Sequence, residues 1–294
     1  MLVIDIAFTL NNAYAEPLRV LLTSIMASNP QHLFRFHVVC SDFSDENRLK
    51  NQKIIDFFKN GSVDYQEIDP VIFQGMRLPD YRVFPLETYY QFLLVDIFKE
   101  LDRILYLDVD IVVKGDLGPL WKTDMTGFYC AGVPDFNCEK NGHKFVLDMS
   151  DDDVYINSGV ILHNLEKIRA DKKSPELFAD TFALQSKLRY ADQDVINYTY
   201  RGYVKAIDNK YNFGSSYVNR QLWKHRDAVI VHYLGRTKPW NKWNPLRLHE
   251  VYYRFERQMK KILGEPFSVF SMIIQRVFVT RMRAKSSSPS KKPS

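Results

Sequence analysis

Asp108-Val109-Asp110 interrupts the apolar run ILYLDVDIVV. In an extended strand, residues i and i+2 point to the same side, so the two carboxylates are expected to project together, with Val109 opposite. Side by side in a buried place they repel each other, and both lose hydration. A divalent cation removes that conflict. Oxygen ligands suit Mg²⁺ or Mn²⁺, which often complete their coordination with substrate phosphates. The plain alternative is a strand ending in an acidic loop, but LYL before and IVV after favour a metal site embedded in a core strand.

His232 follows a second apolar stretch in VIVHYLGRTKPWN. A histidine so placed is commonly a hydrogen-bonded core residue, but its neighbours change the reading. Gly235 permits close backbone approach, and Lys238 brings a cation within reach of a diphosphate. With Asp108 and Asp110, His232 makes a mixed oxygen and nitrogen set, for which Mn²⁺ is the better candidate. Asp192-Gln193-Asp194 is read in two ways. Acids at a helix amino terminus suit the dipole, which accounts for one aspartate, and the others are free to bind sugar hydroxyls or face an anomeric carbon. Asn157-Ser158-Gly159, before VILHNL, reads as a turn into a strand.

These residues need elements to position them. VIDIAFTL reads as a strand, followed by a helix with Leu18, Leu21, Leu22, Ile25 and Met26 at helical spacing, which stops before Asn29-Pro30. FRFHVVC and VDYQEID read as further strands. Helices are expected over Asp45 to Asn60, Leu86 to Glu100 and Pro175 to Leu188. Strands alternating with helices predict an α/β fold with a mostly parallel sheet and helices on both faces. Ligands bind such sheets outside the carboxyl ends of the strands, where Asn11 and the aspartate pair fall. The pattern turns irregular from about Gly127, so a donor-binding half over 1–126 and an acceptor-side half over 127–264 are expected.

The chain has 294 residues and a net charge of +5, from 40 basic and 35 acidic residues. Six of the basic residues (Arg276, Arg281, Arg283, Lys285, Lys291, Lys292) lie beyond Gln275 with no acid among them, leaving 34 basic against 35 acidic elsewhere. A nearly neutral body argues against nucleic-acid binding. In the tail, 265–294, helical spacing puts Phe267, Phe270, Ile274, Val277 and Phe278 on one side and Arg276 and Arg283 nearly opposite. Such a segment either lies on anionic lipid or docks on the core. MLVIDIAFTLNN reads as a buried strand rather than a secretory signal, and no apolar run is long enough to span a bilayer. Cys40, Cys130 and Cys138 read as scattered reduced thiols. The expectation is a cytoplasmic protein held peripherally on the inner face of the membrane.

The ordered set LYLDVD, VPDF, YINSGVILHNL, YADQDVINY and HYLGRTKPWN resembles glycosyltransferase family 8, and within it the bacterial lipooligosaccharide galactosyltransferases and glucosyltransferases. The similarity runs from about Ile4 to Trp243. It implies the GT-A-type fold, a Rossmann-like nucleotide-binding half merged with an acceptor half. It also implies a retaining hexosyl transfer from UDP-glucose or UDP-galactose to a saccharide acceptor of a cell-envelope glycan, lipid-linked. On this likeness Asp108, Asp110 and His232 ligate Mn²⁺, with Val109 beside them, and Gly235 and Lys238 meet the diphosphate. Asp135, Asn157, Asp192 and Gln193 surround the donor sugar, and Thr9, Asn11, Tyr14 and Thr88 lie toward the nucleoside. Lys238, Asp192 and Gln193 become the candidate catalytic residues. Lys238 stabilises the departing phosphate, and same-face attack is favoured because Gln193 is a poor nucleophile.

Two departures stand out. The family often has aspartate at Asn11 and asparagine at Ala13, and it usually has arginine after the paired tyrosines, where TYYQF has Gln91. These put the donor sugar in question and keep open a degenerate, sugar-nucleotide-binding protein of the same fold. A sugar nucleotidyltransferase is disfavoured, because FTLNNAYAEP lacks a glycine-rich basic loop for a triphosphate. Acceptor contacts are expected from Arg77 to Pro85 and from Phe136 to Met149.

Overall fold

The structure is a computed structural model that describes residues 1–80, 84–214, 227–235, 238–241 and 249–266. The basic aromatic segment expected on lipid lies outside these residues from 267 onward, as do 81–83 of one acceptor loop. The strands are β1 (Val3–Thr9), β2 (Leu33–Cys40), β3 (Gly61–Glu67), β4 (Arg103–Leu107), β5 (Ile111–Val113), β6 (Cys130–Pro134), β7 (Ile156–Asn164), β8 (Val204–Ala206), β9 (Phe213–Gly214) and β10 (Ile230–His232). Seven of them form one sheet in the order β3-β2-β1-β4-β7-β6-β8, and β5-β10-β9 form a second. Only β7 runs against its neighbours in the larger sheet. This is the mostly parallel α/β sheet that the alternating pattern predicts. Strands from both halves of the chain contribute to it.

Helix α1 (Ala15–Ser28) follows β1 and buries Leu18, Leu21, Leu22, Ile25 and Met26 against Ile4, Ile6 and Phe8 on one face of the sheet. Asn29 stops it. Its Nδ2 donates to the Ile25 carbonyl at 3.0 Å and its Oδ1 accepts from Leu117 N at 2.9 Å, tying the helix end to the chain after β5. Helix α2 (Asp45–Phe58) starts at Ser44, whose Oγ accepts from Asn47 N, with Asp45 and Glu46 complementing the dipole. On the opposite face Ala7, Val39, Ile104 and Tyr106 pack on Tyr89, Tyr90 and Phe92.

Three elements differ from expectation. Leu86 to Glu100 is a 3-10 stretch, Leu86–Leu93, followed by one α-turn, Leu94–Ile97. Tyr89, Tyr90, Gln91 and Phe92 are all buried, which leaves no polar stripe for an amphipathic α-helix. Asn157-Ser158-Gly159 is not a turn; it lies inside β7. ILYLDVDIVV is not one strand but two, β4 and β5, in different sheets. Both are buried, so the apolar run continues across a break in direction that periodicity cannot register.

A polar tie crosses the first three strands. His37 of β2 lies 3.0 Å from Asp5 Oδ1 through Nε2 and 2.6 Å from Asp64 Oδ1 through Nδ1, and Arg35 Nη2 meets Asp5 Oδ2 at 2.6 Å. Burial alone disfavours the imidazolium, but the hydrogen bonds to Asp5 and Asp64 outweigh it and raise His37 above its ordinary 6.5. Burial likewise pushes Asp5 and Asp64 up, and the contacts with His37 and Arg35 reverse this to hold both below 3.8. His37 therefore stabilises the fold fully below pH 6.5 and loses that contribution as pH rises through its raised value. The two acids stabilise it above 3.8 and lose their contribution on acidification through the depressed values. The thermal midpoint of the wild type should exceed that of His37→Gln most between those limits, with the margin shrinking as pH rises above 6.5 through the raised value. A margin independent of pH in thermal scans would remove His37 from this role.

Candidate active site

One cavity of about 1010 Å³ opens at the carboxyl ends of β1 and β4, where β1 ends at Thr9 and β4 at Leu107. The chain crosses from the larger sheet to the smaller at Asp108-Val109-Asp110. Each aspartate is pinned to a different sheet: Asp108 N donates to the Gly159 carbonyl of β7, and the Asp110 carbonyl accepts from Tyr233 N just after β10, both at 2.9 Å. The register of β10 on β5 pairs His232 with Ile111 and so carries the imidazole to the aspartates. His232 Nε2 lies 3.0 Å from Asp110 Oδ1 and 3.6 Å from Asp108 Oδ2. One ligand atom from each of the three residues lies within 4.8 Å of the others.

Strong electrostatics follow. Burial raises the Asp108 carboxyl, and the neighbouring Asp110 charge raises it further. Burial also acts on Asp110, but Lys238 and His232 overcome it and hold that carboxyl far below the usual range. The Lys238 ammonium donates to Asp110 Oδ2 and, at 2.9 Å, to the Tyr233 carbonyl. Tyr106 donates to Asp108 Oδ1 at 2.9 Å, which leaves Thr9 to donate to the Tyr106 oxygen at 3.0 Å. Two carboxylates and an imidazole, backed by fixed partners, are a donor set that fits Mn²⁺ or Mg²⁺. The backbone fits too. A Cβ on Gly159 would lie 2.2 Å from His232 Cε1 and 2.6 Å from Asp108 Oδ2, so only glycine leaves room for the three ligands to converge.

Asp192 and Gln193 open the helix Asp192–Thr199 and line the same cavity. Thr88 Oγ1 donates to Asp192 Oδ1 at 2.6 Å, and Gln91 Nε2 donates to Oδ2. Burial pushes Asp192 up to about 7, against the pull of Thr88 and with the Asp108 charge adding to it. Gln193 Oε1 accepts from Asn157 Nδ2 at 2.9 Å and Ser158 N at 3.2 Å. Its Nε2 donates to Asp135 Oδ2 and to Tyr155 Oη, each at 3.2 Å. Asp194 is the aspartate with a structural task. It accepts from Arg189 N, Tyr190 N and Tyr155 Oη and meets His143, wholly buried behind the site.

Thr9, Tyr14, Thr88, Asp108, Val109, Asp110, Asp135, Asn157, Asp192, Gln193, His232, Gly235 and Lys238 all line the cavity. Asn11 does not; its Oδ1 accepts from Ala13 N and caps the short turn Asn12–Tyr14. Gln91 lies beneath Asp192 rather than on the wall. Within the expected acceptor loops, Phe84, Pro85 and Asn137 reach the cavity, while Phe145 and Val146 are exposed. Sequence reasoning missed Tyr106, Ser158 and Trp240 on the wall and Asn212 behind it. For Tyr106 a signal was present, since it stands two residues before Asp108 on the same strand face; Asn212 carried none.

The sequence model for glycosyl transferase family 8 matches residues 5–244. The chain belongs to that family. Like other members it is a glycosyltransferase, and its fold is of the GT-A type. A lipopolysaccharide 1,2-glucosyltransferase of Escherichia coli is 29% identical over 259 residues, covering 81% of this chain and 74% of its own length. A lipopolysaccharide 1,3-galactosyltransferase of Salmonella typhimurium is 28% identical over 81% of this chain and 73% of its own. Among solved structures, the galactosyltransferase LgtC in complex with donor and acceptor sugar analogs superimposes with a TM-score of 0.79 at 26% identity, covering 87% of this chain and 96% of that one. An active-site glutamine-to-glutamate mutant of LgtC matches equally well.

In this family 8 enzyme, Gly159→Ala should move His232 or Asp108 by about 1 Å and reduce turnover roughly 10²-fold without unfolding the sheet. Steady-state rates paired with circular dichroism test this; a folded variant with wild-type turnover would show that the three side chains need not converge.

Proposed function

We propose that the chain transfers glucose or galactose from a UDP-sugar to the saccharide of a lipid-linked cell-envelope acceptor of the lipopolysaccharide type, with retention and with Mn²⁺. Mg²⁺ is the second candidate. The observation that carries this reading is the convergence of Asp108, Asp110, His232 and Lys238 in one cavity with Asp135, Asn157, Asp192 and Gln193. The relatives that act on lipopolysaccharide include both a glucosyltransferase and a galactosyltransferase, so they favour the acceptor class over a particular donor hexose.

Asp108, Asp110 and His232 would hold the cation, which when bound neutralises charge on the donor diphosphate. Lys238 sits on Asp110 and supplies a second positive charge for the β-phosphate as the glycosidic bond breaks. Asp192 and Asp135 present carboxyl oxygens to sugar hydroxyls, with Thr88 and Gln91 orienting the first and Gln193 the second. Gln193 is the one glutamine lining the cavity among the described residues, and both lone pairs of its Oε1 already accept hydrogen bonds. It is a weak nucleophile in that state. This supports same-face attack, in which the acceptor hydroxyl bonds to the anomeric carbon, the bond to UDP breaks, and the hydroxyl proton passes to the departing phosphate. A glycosyl adduct trapped on Asp192 or Gln193 would replace this route with a double displacement.

Purified protein offered UDP-glucose and UDP-galactose should release UDP from one of them only with Mn²⁺ present. Asp110→Ala should lower that rate by about 10³-fold, as removal of a central electrostatic group does. Tight Mn²⁺-dependent UDP binding with no turnover on any donor or acceptor would leave the degenerate binding protein as the better reading.

The tail beyond Glu265, apolar, aromatic and basic, supports attachment to anionic lipid on the cytoplasmic face. Among the described residues no helix is long and apolar enough to cross a membrane. Truncation after Gly264 should release the protein from phosphatidylserine vesicles in co-sedimentation while leaving UDP release unchanged. Retention on the vesicles would place the lipid contact elsewhere.

A further inference from the structure

His232 meets the two aspartates through Nε2 and is held from behind through Nδ1, which lies 2.9 Å from Asn212 Oδ1. Asn212 is 4% exposed and does not line the cavity. It stands between the short turn Asn209–Tyr211 and β9, and the parallel pairing of β9 with β10 brings it to the imidazole.

The direction of each hydrogen bond here is fixed by groups that cannot reverse. Gly159 N–H only donates, and at 3.1 Å it donates to Asn157 Oδ1. Asn157 Nδ2 therefore faces Gln193 Oε1, whose identity is fixed in turn by the Ser158 N–H on the same oxygen and by Gln193 Nε2 facing the Asp135 carboxylate. Asn157 Oδ1 has one lone pair left and accepts Asn212 Nδ2 at 2.8 Å. Asn212 is thereby turned with its oxygen to His232. An amide oxygen only accepts, so the ring hydrogen is on Nδ1. In the neutral ring the lone pair is then on Nε2, the nitrogen that points at Asp108 and Asp110.

We propose that Asn212 is a positioning residue that holds His232 as its Nδ1–H tautomer, so that Nε2 is a ready ligand for the divalent cation. The proposal rests on the metal reading given above. An Asn that merely braced the loop would not need this orientation, since either end of its amide satisfies a structural contact. The relay also ends at Asp135 and Gln193, so the groups that face the donor sugar and the group that orients the metal ligand share one amide network.

Two variants separate the roles. Asn212→Leu removes the acceptor with little change in volume, whereas Asn212→Asp keeps an oxygen for Nδ1–H. Mn²⁺ binding in the presence of UDP, followed by the electron paramagnetic resonance of the free ion, should weaken about 10- to 100-fold in Asn212→Leu, the usual effect of removing a partner of a ligating histidine. Asn212→Asp, which keeps the acceptor for Nδ1–H though it loses the donor to Asn157 Oδ1, should bind Mn²⁺ more tightly than Asn212→Leu. Nitrogen-15 spectra of the histidines should show a hydrogen-bonded Nδ1–H on His232 in wild type that is lost in part or in full in Asn212→Leu. Thermal unfolding gives the folded fraction of each variant. Wild-type Mn²⁺ affinity in folded Asn212→Leu, or a His232 ring with no hydrogen on Nδ1 in the wild type, overturns the proposal. If wild type binds no Mn²⁺, the metal reading falls, and the tautomer spectra still decide what Asn212 does.

Discussion

Two carboxylates and an imidazole are held within 4.8 Å at the seam between two sheets, and most of the surrounding structure serves to keep them there. Like charges so close repel, and the response is asymmetric. Asp110, with Lys238 and His232 beside it, stays ionised, while Asp108 is pushed the other way by burial and by Asp110 itself. Because Asp108 hangs from β7 and Asp110 from the end of β10, the spacing of the two carboxylates is also the spacing of the sheets. Ile111, Val112, Ile230 and Val231 are wholly buried in that seam. Packing there therefore sets the distance between the carboxylates as well as contributing to stability.

Much of this was legible in the chain. Asp108, Asp110 and His232 stood out because charged residues inside apolar runs need a partner, and three-dimensional proximity supplied it. The alternation of strands and helices gave the sheet, since β1 and β2 are short apolar runs and α1 places its apolar residues at helical spacing. What could not be read follows from physical causes. The break between β4 and β5 leaves no mark, because strands buried on both faces are uniformly apolar whatever direction the chain then takes. The 3-10 stretch Leu86–Leu93 buries four consecutive residues, Tyr89 to Phe92, which no single face of an α-helix can hold. Asn212 and Tyr155 act through long-range pairing, to His232 twenty residues on and to Asp194 across β7, and single asparagines and tyrosines give no warning of that.

Neighbouring residues of one type have been given opposite work by geometry alone. Asp194 points back into the protein, with four donors around it and no exposure, and fixes the start of its helix. Asp192, two positions earlier, points into the cavity and is held by two neutral donors, Thr88 and Gln91. Among the described residues no cation touches it, and burial leaves its carboxyl near 7. An arginine where Gln91 stands would hold that carboxyl ionised. The amide holds its position without fixing its charge, which makes Gln91 a departure that alters the electrostatics of the wall while sparing its shape.

Hydrogen bonds on the wall oxygens also bear on the route of transfer. Asp135 Oδ1 caps the turn after it by accepting from Asn137 N and Cys138 N, and Oδ2 takes Gln193 Nε2. Asp192 is bonded on both oxygens, and Gln193 Oε1 accepts twice. Oxygens engaged in this way are well fixed as hydrogen-bond acceptors for a sugar but poor at forming a covalent bond, because a nucleophile must first give up its partners. Lys238, by contrast, brings an ammonium group onto Asp110, and on the proposed reading the diphosphate would lie beside it. On the proposed reading, rigid acceptors around the sugar and stabilisation directed at the leaving group would lower the barrier mainly by easing departure, and the departing oxygen would be the nearest base for the incoming hydroxyl.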